Sequence, residues 1–460
     1  MGALDASFLA IEDDVCHMHI GSVSVFEGPP PGYVELRELI SSKLALVPRY
    51  RQRPREAPAS IGRPLWVDDP HFNLDYHLRR TALPEPGGDT ELQALVSRVM
   101  SQQLDRHKPL WEDWLVEGLP GNRWGLITKV HHCMVDGIAG SDLLSVILDL
   151  DPDAPILEPE PWEPASEPSR ARLAWHSLGG VATAPAGWAR GLARTLGDPR
   201  GTAGRLRDVG AGLLHFGGVL ARPTHSSLVG PIGPHRRWTS TRATLDDVKA
   251  VRRALGGTVN DVVLAVVTHG LRELLLGRDD PVPADRTVRT LVPVSMRTPD
   301  ARGVFDNRVA AVFAELPVGI TEPVERLNAI RDQMDALKAS HEIEASEAVL
   351  GLADFTPPIL SALWARGIVH WQDRIETVAT NVPGPQVPLY LRGRRMLEAY
   401  PYVPIAGHVR VGVAIWSYCG GLHFGVTGDW EGAPDVDRLT AGIDAGMATL
   451  LDSARAAAAC

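Results

Sequence analysis

The sequence predicts a mixed α/β chain folded as two lobes of similar size joined by a long crossover. Strand-like alternation is followed by helical spacing in the first 150 residues, and the same mixture returns after residue 231. Between them, a Pro-rich acidic tract at 151–169 and an Arg-rich stretch at 170–222 match neither flank.

Residues 18–26, MHIGSVSVF, alternate as a strand does, and 33–47 carry helical spacing. Residues 123–130, RWGLITKV, read as a strand that runs directly into HHCMVDG. The first lobe is therefore placed at 1–150. The tract DPDAPILEPEPWEPASEPS at 151–169 holds six prolines, six acids and no base, which favours an extended, solvated linker over packed structure. From Arg170 to Arg222 the charge inverts, with eight Arg against Asp198 and Asp208 among Ala, Gly, Leu, Trp175 and Trp188. Arg on one face with Leu, Trp and Phe on another suits a helix lying on anionic lipid, over 171–196 and 203–221. The many glycines weaken such a helix, and a crossover packed on the protein or paired with the acidic linker fits the same composition. Residues 151–230 are assigned to this linker and crossover, with both readings open.

The second lobe is placed at 231–460. After PIGPHRRW at 231–238, helical spacing marks TLDDVKAVRRALG and NDVVLAVVTHGLRELL. Strands are expected at 289–296, 309–316, 375–382, 408–416 and 421–427, and a final helix at 435–453. A cleft between two such lobes is the default place for a site.

The 460 residues include 46 Lys+Arg against 56 Asp+Glu, a net charge of −10, with 44% apolar and 22% charged side chains. That composition belongs to folded globular chains and excludes collagenous, coiled-coil or wholly disordered ones. The acidic balance argues against a general nucleic-acid surface, which needs clustered Lys and Arg. Cys16, Cys133, Cys419 and Cys460 are dispersed without a C-x-x-C pair, so neither a zinc ribbon nor a redox dithiol is indicated, and reduced thiols in the cytoplasm are the simplest expectation. The N-terminus lacks a basic leader region, and no run reaches the roughly 18 apolar residues of a spanning helix. Gly2 is followed by Ala6 where a myristoylation motif wants Ser or Thr.

The chemistry concentrates in His131, His132, Cys133, Met134, Val135, Asp136 and Gly137, where a strand gives way to a turn. Successive side chains of an extended segment point opposite ways, so one imidazole works and the other supports it. An imidazole with its usual pKa of about 6.5 is mostly neutral at pH 7 and can take a proton from an alcohol as it attacks a carbonyl. Asp136 would hold the geometry. A metal site would need further ligands at compatible spacing, which the motif does not offer. A hydrolase triad lacks its G-x-S-x-G elbow, and G-S-V-S at Gly21 is not one. The plain alternative is two satisfied core histidines with Asp136 and Gly137 forming only a turn. Cys133 as nucleophile is disfavoured, because reactive thiols need an electropositive, exposed setting.

H-H-x-x-x-D-G at 131–137 resembles the active-site motif of the CoA-dependent acyltransferase superfamily, which includes condensation domains. The surrounding motifs narrow it. LDASFLAIE at 4–12, MHIG at 18–21, PLW at 109–111, GPIGPHRRW at 230–238, NDVVLA at 260–265, VPVSMR at 292–297 and TNVPGP at 380–385 occur in this order. Together they resemble the bacterial wax ester synthase/diacylglycerol acyltransferase family nearly end to end. The resemblance implies two chloramphenicol-acetyltransferase-like lobes with a tunnel between them, acyl-CoA entering one face and a lipid alcohol the other. It makes His132 the general base, with His131 and Gly137 as motif support. It turns Asp136 away from the tunnel towards an arginine, for which Arg297 is the candidate by motif position. Pro109, Leu110 and Trp111 match the alcohol-channel motif, although Trp111 also suits an ordinary core. Asn260 and Asp261 are either substrate contacts or a helix N-cap. Asn381, Pro383, Gly384 and Pro385 read as a turn, and His17, His19, His408 and His423 as structural.

The implied activity is transfer of a long-chain acyl group from CoA to diacylglycerol or a fatty alcohol, without an acyl-enzyme. No metal or organic cofactor is expected, acyl-CoA being a cosubstrate. The expected location is cytoplasmic, peripheral on the cell membrane or on lipid droplets. Competing expectations are a superfamily acyltransferase acting on a specialised metabolite and a catalytically silent lipid binder.

Overall fold

The computed structural model describes residues 1–56, 63–134, 143–169, 173, 226–295, 309–339 and 374–459. Asp136, Gly137, Arg297 and nearly all of 170–222 lie outside the described residues.

The first half contributes α1 (Ala3–Ile11), β1 (His19–Glu27), α2 (Tyr33–Lys43), a small β2 (Gln52–Arg55) and β3 (Leu65–Asp68) pair, and α3 (Leu74–His77). It continues through β4 (Leu78–Ala82), α4 (Asp89–Met100), β5 (Trp111–Leu119), β6 (Arg123–His131) and α5 (Leu143–Ile147). The second half holds β7 (Arg236–Thr244), α6 (Leu245–Leu255), α7 (Val259–Gly277), β8 (Val288–Ser295), β9 (Val309–Leu316) and α8 (Pro323–Ala339). It ends with β10 (Thr377–Pro383), β11 (Tyr390–Leu391), β12 (Arg394–Tyr402), β13 (Val411–Tyr418), β14 (Gly421–Asp429) and α9 (Asp437–Ala459).

Two six-stranded sheets result, ordered β11-β12-β1-β6-β5-β4 and β7-β14-β13-β10-β8-β9. The inner strand β13, VGVAIWSY, is buried along nearly its whole length, which is why its sequence reads as a near-continuous apolar run rather than an alternating one. One of the departures from chain order crosses between the halves. β11 and β12 leave the second half and complete the first sheet, β12 running antiparallel to β1 with Gly21 opposite Tyr402 and Phe26 opposite Met396. The sequence division at residue 231 does not foresee this exchange, because the edge that β12 covers lies far away in the chain.

Contact between the sheets is backbone-close. A Cβ on Gly425 of β14 would lie 1.8 Å from the Pro401 carbonyl oxygen of β12, so only glycine fits. The free edge of the second sheet is covered from the first half. Ser97 Oγ of α4 accepts from the Trp238 N–H of β7 at 2.9 Å, and Ser101 Oγ accepts from that of Arg236 at 2.8 Å. Hydroxyls on a packed helix thus satisfy edge groups that would otherwise recruit another strand.

Most expected elements fall within a few residues of their places, and β9 falls on its expected bounds. Three expectations change. The helix expected over 33–47 ends at Lys43 and tightens into a 3₁₀ turn at Leu44–Leu46. His408 lies in a turn before β13 rather than in a strand. The linker at 154–169 carries no helix or strand, as its composition predicts, yet it is laid on the first lobe. Glu167 pairs with Arg55 at 3.0 Å, the Ala165 N–H donates to Asp68 at 3.0 Å, and the Arg51 guanidinium sits 5.0 Å from the Trp162 ring. Opposite charge on the surface of β2 gives the acidic tract a seat.

Candidate active site

β6 is paired on both sides, with His131 opposite His19 of β1 and Val130 opposite Trp111 of β5. At its end the His131 N–H donates to the Leu110 carbonyl at 2.9 Å and the His132 N–H to the Met18 carbonyl at 2.8 Å. The strand therefore stays anchored to both neighbours until it turns into the 3₁₀ segment His132–Met134. Close approach of β1 is needed here, since a Cβ on Gly21 would meet the Thr128 carbonyl oxygen at 2.3 Å.

The two imidazoles have different surroundings. His131 is fully buried, and its Nδ1 accepts the Cys133 N–H at 3.1 Å, which puts the ring proton on Nε2 in the neutral form. That Nε2 lies 3.6 Å from Glu12 Oε2. His132 is partly buried, its ring stacked on Phe8 of α1 with centroids 4.0 Å apart. Burial pushes its pKa down to about 4; its own backbone carbonyl opposes that shift and His131 adds to it. Its Nδ1 is buried and meets no hydrogen-bond partner among the described residues. Cys133 and Met134 turn into the core, and burial, followed by Asp5 and Glu12, raises the Cys133 thiol far above its usual range. That thiol is neither exposed nor ionised.

Glu12 and Arg106 escaped the sequence reading as site residues. Arg106 Nε donates to Glu12 Oε2 at 2.7 Å, and its Nη2 donates to the Leu9 carbonyl at the end of α1 at 2.8 Å. Burial works to raise the Glu12 carboxyl, but His131 and Arg106 outweigh it and hold the group below its ordinary value. Glu12 closes the LDASFLAIE motif and was visible there; Arg106 carries no local signal.

Pro109, Leu110 and Trp111 are buried in the first lobe. Trp111 is 1% exposed, stacks on His77 at 4.6 Å and donates its indole N–H to the Tyr50 carbonyl at 2.8 Å. The Leu110 carbonyl holds His131, so this motif also braces the histidine strand end. The cap of α7 is Thr258, not Asn260 or Asp261. Asp261 Oδ2 accepts from the Thr258 N–H at 2.8 Å while Thr258 Oγ1 accepts from that of Asp261, a reciprocal capping box. Asn260 Oδ1 accepts from Asn381 Nδ2 at 3.1 Å, tying the start of α7 to the end of β10. Among the described residues no three His, Cys, Asp or Glu side chains converge as metal ligands.

The class of protein follows from this architecture. A starter condensation domain of rhizomide synthetase, solved in complex with C8-CoA and Leu-SNAC, has the same fold, with a TM-score of 0.57 at 13% identity over 99% of this chain and 94% of that one. The wax ester synthase/diacylglycerol acyltransferase from Marinobacter aquaeolei is more similar, with a TM-score of 0.68 at 27% identity and 98% of each chain covered. The sequence matches the wax ester synthase/diacylglycerol acyltransferase catalytic domain over residues 1–263 and the corresponding C-terminal domain over 305–450. A Mycobacterium tuberculosis protein named a "probable diacylglycerol O-acyltransferase" is 36% identical over 452 residues, covering 97% of this chain and 95% of that one. The chain belongs to the wax ester synthase/diacylglycerol acyltransferase family, and it is an acyltransferase.

Proposed function

We propose that this protein moves a long-chain acyl group from acyl-CoA to the hydroxyl of diacylglycerol, with fatty alcohol as a second acceptor and His132 as general base. The observation that carries the base assignment is the neutral, sheltered imidazole of His132 at an anchored strand end, stacked on Phe8. The names of the relatives support the acceptor class.

In the reaction, His132 Nε2 takes the hydroxyl proton as the oxygen attacks the thioester carbonyl. The tetrahedral oxyanion collapses with cleavage of the C–S bond, and the imidazolium returns its proton to the departing CoA thiolate. No group on the enzyme is acylated, in keeping with the buried, protonated Cys133 thiol. In this reading Asp136 and Arg297 shape the loop that follows His132. Both acceptors partition into lipid, so the enzyme would work at a membrane or droplet surface. Among the described residues no single helix is long and apolar enough to cross a membrane; α6 and α7 together reach that length but are bent by 102°.

The test is release of CoA thiol from palmitoyl-CoA by purified protein given dioleoylglycerol, hexadecanol or no acceptor in mixed micelles, with His132→Ala in parallel. Acceptor-dependent release that falls by about 10² to 10⁴ in the variant is expected. Release unaffected by His132→Ala would remove the base assignment. Folded protein inactive with both lipids would favour a specialised-metabolite acceptor or a silent binder.

A further inference from the structure

Directly behind His132 lies a group of buried ionisable side chains that the proposed chemistry does not use. The Glu12 side chain is 1% exposed and that of His131 is 0% exposed, yet a carboxylate in such a place is costly unless paired. It is paired only in part. Arg106 serves Glu12 Oε2, while Glu12 Oε1 and His131 Nε2 are both buried without a hydrogen-bond partner among the described residues. With His131 Nδ1 engaged by the Cys133 N–H, its Nε2 is the donor, and it faces the carboxylate at 3.6 Å, slightly beyond a hydrogen bond. The Arg106 side chain is 35% exposed, so the buried groups are Glu12 and His131; apolar side chains of similar volume at these two positions would serve folding as well or better, so stability alone does not account for them.

Their location does. Glu12 ends α1, Arg106 sits just before β5, and His131 ends β6, so three segments meet at one carboxylate. Each bears on His132 by a separate route. His131 is its chain neighbour, and α1, whose last turn Arg106 caps through the Leu9 carbonyl, carries the Phe8 ring that lies against the His132 imidazole.

We propose that Glu12, held by Arg106, is a positioning residue: its carboxylate, facing the Nε2–H of His131, holds that ring and the seat of α1, and through them the orientation of the His132 ring. The inference rests on His132 being the base. Misplacing a reacting group by about 1 Å can cost on the order of 10²-fold, so loss of this anchor should appear in turnover rather than in binding.

Glu12→Gln keeps the shape and an acceptor for Arg106 but removes the charge. With folding checked by circular dichroism and thermal melting, kcat should fall about 10- to 100-fold while KM for palmitoyl-CoA stays within about threefold. Glu12→Asp should recover part of the loss. His131→Gln should lower kcat by a similar factor, and the double variant should be no slower than the slower single, because both act through one contact. If Glu12→Gln does not fold, Arg106→Lys, which keeps the cation but loses the fork, is read by the same criteria. Parent-like kcat in the folded variant, or losses that multiply in the double, would overturn the proposal. His132→Ala assayed alongside separates the two ideas: an active His132→Ala defeats both, whereas an inactive one with parent-like Glu12→Gln defeats only this one.

Discussion

The His132 imidazole lies against the Phe8 ring, 4.0 Å between centroids at an interplanar angle of 27°. Phe8 brings α1 against this ring, and the depressed basicity of His132 is first a consequence of burial. A pKa of about 4 keeps the imidazole neutral throughout the neutral range. In the parent, kcat/KM should therefore hold its plateau from pH 8 down through pH 6. Phe8→Ala opens the ring to water and should move the acidic limb upward, towards the usual value of about 6.5. A pH–rate profile of both proteins checks this, and a parent limb already centred near 6.5 would contradict it.

Acid should destabilise the fold earlier than carboxylates alone would require. Burial holds His77, His132 and His423 each at about 4 when folded. Once unfolded, each returns to about 6.5, so between those values the unfolded chain binds more protons. The stability these groups supply is complete above pH 6.5 and is lost as pH falls towards 4. Melting temperature measured across that window should drop steadily; a flat response would show that these rings are not held neutral.

Cys133 should be chemically silent. It is fully buried with its thiol pKa raised, so iodoacetamide at pH 8 should leave acyl transfer intact over a time that modifies an exposed thiol. Cys133→Ala should keep activity within a few-fold while lowering stability by about 1 kcal/mol. Rapid inactivation protected by acyl-CoA would revive a covalent route.

Trp111 should matter as core. Trp111→Ala should cost about 3–5 kcal/mol, and Trp111→Phe, which gives up the bond to the Tyr50 carbonyl, should lower the melting temperature without changing acceptor KM. A several-fold rise in acceptor KM at unchanged melting temperature would place Trp111 in the alcohol channel instead.

How much was legible follows from the range of each signal. Local periodicity found β1, β6, β9, α6 and α7, because burial on one face or both leaves its period in neighbouring residues. It missed β7, RRWTSTRAT, whose Ser and Thr imitate a loop while their backbone is paired with β14. The HH pair marked the candidate site, and the fold gives its two rings different surroundings, His131 facing Glu12 and His132 lying against Phe8 in a 3₁₀ turn. Arg106 was silent because its meaning arises from folding, which brings it to Glu12 across 94 residues of chain. Thr258 displaced the expected caps because a capping box needs its hydroxyl three residues before Asp261, a spacing present in the sequence but overlooked.

The exchanged strand sets a schedule. A ribosome delivers the segment bearing His132 early, yet the β1 edge beside it stays open until Arg394–Tyr402 has been made. A nascent chain stopped before Tyr390 carries the histidines but presents a bare strand edge, the kind of surface that seeks another copy of itself. The enzyme thus becomes competent only near the end of its own synthesis, and premature truncation should yield aggregates rather than a slower acyltransferase.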